Sequence, residues 1–198
     1  MAQSGGMKKM MMAAAAIGMT GILASCGSGE APDGSAKGSI DSVRTEYRMG
    51  SATGGFVACN NIVGNGSRTQ QTQVAVRFTL AGTIDSIKIG LKGNTDGKRD
   101  QNFTATATGQ QLVEIGNGSY KVLFNADAGT EDGLLPQSII VNPVGVKVKV
   151  VTATNFLGSF YPRIDVDTGT ANFPIIALNK YTNVYRDCTV TATTNEDI

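Results

Sequence analysis

The chain has 198 residues, with 17 Lys and Arg against 16 Asp and Glu, a net charge of +1 and no clustered basic run. That balance excludes a surface built to track a phosphate backbone. Histidine is absent, which removes His-based triads, His general bases and most zinc or copper sites.

In chain order, polar residues 1–6 precede Met7-Lys8-Lys9, which is read as the natural opening of a secretory signal. A basic pair, an apolar run over residues 10–23 and small residues before a cleavage point complete that signal over residues 1–25. The run falls short of the roughly 18 apolar residues that span a bilayer. It closes on Leu23-Ala24-Ser25-Cys26, which resembles the lipobox of bacterial lipoproteins. The resemblance covers the first 26 residues only. It implies cleavage before Cys26 and two or three acyl chains, palmitate among them, on that residue. Two or more chains give stable anchoring where one is marginal. Gly27, where an Asp would resemble an inner-membrane retention signal, leans toward the outer membrane or cell surface.

Residues 26–54 are predicted to be the lipidated cysteine and a flexible tether. Gly, Ser, Ala and Pro dominate residues 27–38 without hydrophobic periodicity, giving a reach on the order of 20 Å. Residues 40–48 fit either a short helical turn or a first edge strand. The domain proper is placed at 55–198.

Strand signals then follow one another. Residues 56–63 form the first, and Val74, Val76, Phe78 and Leu80 alternate cleanly with polar or small neighbours. Ile87, Ile89 and Leu91 repeat the pattern, and Ala81-Gly82-Thr83 between the two runs predicts a tight hairpin. Gly116-Asn117-Gly118 predicts another. Val144, Val146, Val148 and Val150 alternate with lysines as a half-buried strand, and residues 173–178 read as a central strand that Pro174 pushes toward an edge. About nine to ten strands without a helix predict an all-β fold, a single antiparallel β-sandwich of immunoglobulin-like architecture. The missing Trp and the wide cysteine spacing exclude true membership of the immunoglobulin family.

Three cysteines are present. With Cys26 lipidated, Cys59 and Cys188 remain as an even pair in an oxidising compartment. Period-two alternation with Val57 and Val190 points both thiols inward, as a disulfide or as two buried thiols. A bridge would be a structural clip from the first strand of the domain to the last, since no Cys-x-x-Cys exists.

Candidate ligand residues are few. Asp96 and Asp100, in a turn of alternating oxygen ligands, have the look of a calcium loop. That turn lacks a bidentate Glu and carries Lys98 and Arg99 in its middle. Asp165 and Asp167 share one strand face, roughly 6–7 Å apart by the strand rise, compatible with a shared cation or a carboxylate pair. A solvated face over an inward Val166 is the plainer reading. Asp127, Glu131 and Asp132 form a further acidic loop. No Ser-x-x-Lys or Gly-x-Ser-x-Gly arrangement follows the signal, so no nucleophile has an activating partner. The sequence therefore predicts a non-enzymatic, lipid-anchored envelope protein without a cofactor, touching the membrane through its anchor and other envelope proteins through its sheets. The alternative is a glycan- or calcium-dependent ligand-binding module.

Overall fold

A computed structural model describes residues 27–64, 71–95, 98–99, 105–107, 113–127, 137–139 and 145–198. Its strands are β1 (Ser28–Glu30), β2 (Ala36–Thr45), β3 (Tyr47–Met49), β4 (Phe56–Cys59), β5 (Ile62–Val63), β6 (Gln71–Gly82), β7 (Ser86–Thr95), β8 (Lys98–Arg99) and β9 (Ala105–Ala107). They continue with β10 (Val113–Gly116), β11 (Ser119–Asp127), β12 (Gln137–Ile139), β13 (Lys147–Thr152), β14 (Asn155–Asp167), β15 (Asn172–Ile176), β16 (Thr182–Arg186) and β17 (Cys188–Asp197). The fold is all-β, as expected. These strands make a six-stranded sheet, ordered β1-β2-β6-β11-β10 with β12 on β11. An eleven-stranded sheet runs β5-β17-β13-β3-β4-β16-β14-β7-β8, with β15 on β14 and β9 on β7.

The arrangement is consistent with a β-sandwich, but the pairing is not purely antiparallel. β3 with β13, β4 with β16 and β5 with β17 run parallel. They are short strands brought together from distant parts of the chain, and no local pattern marks such pairs.

The main core lies between the sheets. Val74, Val76, Phe78 and Leu80 of β6 and Val122, Phe124 and Ala126 of β11 face Ile87, Ile89, Phe160, Ile164, Val166, Phe173 and Ile175. This is the alternation read from the sequence. The opposite face of the smaller sheet is not left to solvent. Ala75 and Leu123 are packed under Val148 and Ile198, so the β13–β17 arm of the larger sheet wraps over it. A second small core, Tyr47, Val57, Cys59, Val151 and Cys188, fills that arm. β4 separates the two: Ala58 joins the main core while its neighbours Val57 and Cys59 join the small one.

Two expectations are corrected, and an alternative left open is decided. The predicted tether is part of the fold: β1 pairs with β2, and β2 pairs along most of β6, burying Ala31, Ala36 and Ile40. Of the two alternatives for residues 40–48 the structure has strand, with a bend at Glu46 between β2 and β3, and β2 lies between β1 and β6 and is not an edge. Ala81-Gly82-Thr83 is not a hairpin, because β6 and β7 belong to different sheets. Thr83 N–H donates to Ser35 O and Asp85 N–H to Asp167 O, so the connection is held by both sheets as it crosses. Gly116-Asn117-Gly118 does make the expected hairpin, with Asn117 at φ 53° and Gly118 at φ 72° joining β10 to β11. Pro174 sits exposed on β15, whose only strand partner among the described residues is β14, as suits a residue lacking an N–H.

Candidate functional site

The two cysteines form a disulfide, with a Cα–Cα distance of 5.9 Å and both residues buried. It joins β4, the first strand after residue 55, to β17, the last strand, while β1, β2 and β3 precede β4 in the fold. Where the chain crosses between sheets here, buried threonines satisfy the backbone. Thr45 Oγ1 donates to Val57 O at 2.6 Å, and Thr72 Oγ1 accepts from Cys59 N–H and donates to Cys59 O, both at 3.1 Å. Beside the bridge, Asp187 adopts φ 55° and splits the expected last strand into β16 and β17. Its N–H donates to Asn60 Oδ1 and its carboxylate accepts from Asn61 Nδ2.

β17 leaves this junction with one edge on β13. Among the described residues its other edge pairs with β5 only, at Cys188 and Thr189. Each residue from Thr189 to Thr193 is exposed, and beyond Thr189 no described strand pairs with this outer edge. The exposed stretch is Thr-Val-Thr-Ala-Thr, without charge or proline. Two bulges interrupt its pairing with β13, and Thr191 and Thr194 hydroxyls donate back to Val150 O and Val148 O. Glu196 holds the far end through Arg44 at 3.1 Å and Arg48 at 2.9 Å, with Arg48 stacked over Phe56.

Asp165 and Asp167 lie on β14 in an open groove of about 420 Å³, with Ser86, Lys88, Arg163, Asn172, Phe173 and Pro174. Cross-strand register sets them there: Asp165 faces Lys88 and Pro174, and Asp167 faces Ser86 and Asn172. Val166 between them is buried, as the plainer reading expected. Asp165 is ion-paired to Arg163 at 2.9 Å, and Asp167 accepts from Gly169 N–H at 2.8 Å. Both carboxylates are thus already engaged by donors of this chain. The groove presents hydrogen-bonding groups of both signs to a polar ligand. Among the described residues no three His, Cys, Asp or Glu side chains converge on one point. Asp96 and Asp100, the other two metal candidates, lie outside the described residues, as do Cys26, Glu131 and Asp132; Asp127 ends β11.

One cluster had no signal in the sequence. Arg77 and Lys121 are cross-strand neighbours on the outer face of the smaller sheet, and Lys121 Nζ donates to Ile198 O. Burial, then the charges of Arg77 and Arg44, lower the Lys121 pKa. Only the register of β6 with β11 reveals this grouping. Asp33, in the β1–β2 turn, accepts from the Ser35 hydroxyl and N–H and from Thr170, and these bonds lower its pKa. It is a turn-locking carboxylate.

No helix among the described residues is long and apolar enough to cross a membrane. No family model matches the chain, and neither a curated protein nor a solved structure resembles it. The functional reading therefore rests on the chain's own geometry.

Proposed function

We propose that this is a non-catalytic, lipid-anchored protein of the bacterial cell envelope, serving as an interaction subunit at the outer membrane or cell surface. Cys26 carries the acyl chains, and the edge of β17 beyond Thr189, unpaired among the described residues, receives a strand from an envelope partner. The observation that supports it best is that edge: consecutive exposed residues, β-branched and uncharged, offer backbone groups to an incoming strand. The bulges restrict the ladder to short runs, which favours a reversible contact over fibre growth.

Pull-down of the full-length lipoprotein from its native envelope in mild detergent, read by mass spectrometry, tests this reading. A stoichiometric partner is expected with the natural chain and should be lost when Val190→Lys and Ala192→Lys are combined. Equal recovery of the partner by that variant overturns the edge as the contact.

A second reading, a glycan-binding module, is favoured by the polar groove around Asn172 and Lys88. It predicts glycan-array binding that Lys88→Ala with Asn172→Ala abolishes. Calcium is the weaker ligand there, because Arg163 already neutralises Asp165.

A further inference from the structure

The chain offers no slack between the proposed anchor and the fold. Gly27, the residue after Cys26, is buried, and its N–H donates to Ile176 O at 3.0 Å. Its carbonyl accepts from Ile40 N–H, so the backbone is held on both sides. Gly27 takes φ +78°, and a Cβ there would meet Ala177 Cβ at 3.3 Å and Lys180 Cε at 3.5 Å. Consecutive Cα atoms are about 3.8 Å apart, so an anchor on Cys26 is attached one residue from this packed position. Acyl chains on Cys26 would enter the bilayer beside whatever surrounds Gly27.

What surrounds it is suited to a membrane interface. The 3-10 turn Leu178–Lys180 follows β15 directly and is followed by Tyr181. Tyr181 is 57% exposed, among the most exposed large apolar side chains described. Lys180 lays its stem past Gly27 and donates its ammonium to Asp41 O. Tyrosine, with an apolar ring and a polar tip, and lysine, with an apolar stem and a cationic head, belong at the level of lipid headgroups.

We propose that the face formed by the turn Leu178–Lys180 and Tyr181 docks on the lipid surface, so that the acylated domain lies against the membrane in one orientation. This rests on the lipid-anchor reading above and adds the surface and its geometry. It also sets the disulfide junction away from the bilayer. Gly27 bonds to Ile40, whose register partner on β6 is Phe78, whereas the junction is tied to Thr72. Six residues of strand separate those levels, about 20 Å. The β17 edge beside the junction is then presented outward to partners.

The chain has no tryptophan, so one introduced residue reports its own surroundings. Full-length acylated Tyr181→Trp and Val63→Trp, Val63 being 48% exposed on β5 beside the junction, are reconstituted into phosphatidylethanolamine–phosphatidylglycerol vesicles with brominated acyl chains. Both should float with the vesicles. Tyr181→Trp should shift to the blue and lose most of its emission to the bromines, while Val63→Trp keeps its emission. A flexible Gly-Ser spacer inserted between Cys26 and Gly27 should restore much of the Tyr181→Trp emission without changing the melting temperature. Flotation with equal, weak quenching at both positions overturns the docked face and leaves the anchor standing. A chain that does not float overturns the anchor, and the docking with it.

Discussion

The two cores of this molecule are held together in different ways. The main core is made from long strands whose side chains alternate, and its order comes from apolar volume: Phe78, Phe124, Phe160 and the aliphatic residues around them are fully buried. The small core holds Tyr47, Val57 and Val151 with the two half-cystines, and its strands β3, β4 and β5 are four residues or fewer. Strands that short bury too little surface to order themselves. A disulfide and the bonds of Thr45 and Thr72 do that work. Where apolar area runs out, covalent and polar links carry the fold, and the β17 edge left unpaired among the described residues begins at that point.

The sharpest way to break the contrast is to remove the bridge. Cys59 and Cys188 are 129 residues apart, and closing a loop of that length contributes roughly 4–5 kcal/mol in the chain-entropy model. Cys59→Ser with Cys188→Ser should lower the urea midpoint accordingly. In hydrogen exchange, protection should be lost first in β4, β5 and β17 and last in β6 and β11. Uniform loss across both cores would show that the bridge does not act locally.

Truncation should rank the cores the other way. Phe78→Ala removes a ring that is fully buried and stacked on Tyr120 at 5.6 Å, and should cost about 3–5 kcal/mol. Val151→Ala, equally buried in the small core, should cost about 2 kcal/mol. Equilibrium unfolding of the two variants checks the order. Comparable with Val151→Ala is Thr72→Val, which takes the hydroxyl from Cys59 N–H and C=O and should cost about 1–3 kcal/mol. Thr79→Val, on the surface with its hydroxyl on Asp41, should change stability by less than about 0.5 kcal/mol.

The same division decides what was legible in the sequence. Period-two alternation identified β6, β7 and β13, because each presents a regular apolar face to a neighbouring layer. The inward thiols of Cys59 and Cys188 came from the same rule. It missed Ala75 and Leu123, whose outer face is covered by a part of the chain that no local pattern connects to them. The supposed tether shows a second limit. Its glycines looked like flexibility, yet a Cβ on Gly29 would come within 2.6 Å of Pro174 O and one on Gly38 within 2.6 Å of Leu80 Cδ2. Small residues permit both disorder and close packing, and composition alone does not separate them. Of the site residues, Asp165 and Asp167 share one face of β14, and the same alternation puts Arg163, two residues before Asp165, beside them, whereas the exposed β17 edge depended on strand order.

A pH series distinguishes the cores without removing a packed side chain. Tyr47, buried in the small core, has its phenol pushed well above the ordinary 10.0, by burial first and then by the charge of Glu46. The unfolded chain releases that proton at pH 10 while the folded chain still holds it. Folding then binds the extra proton, so the Tyr47 contribution is fully present below pH 10 and is lost as pH rises through the folded value. The loss approaches about 1.4 kcal/mol per pH unit at most. Tyr47→Phe should match the natural chain near neutrality to within about 1 kcal/mol and lose less stability above pH 10. Urea unfolding of both chains at a series of alkaline pH values measures the difference. Parallel curves would mean that water reaches the phenol, and that the bridge and threonine links hold the small core more loosely than the main core is held by its packing.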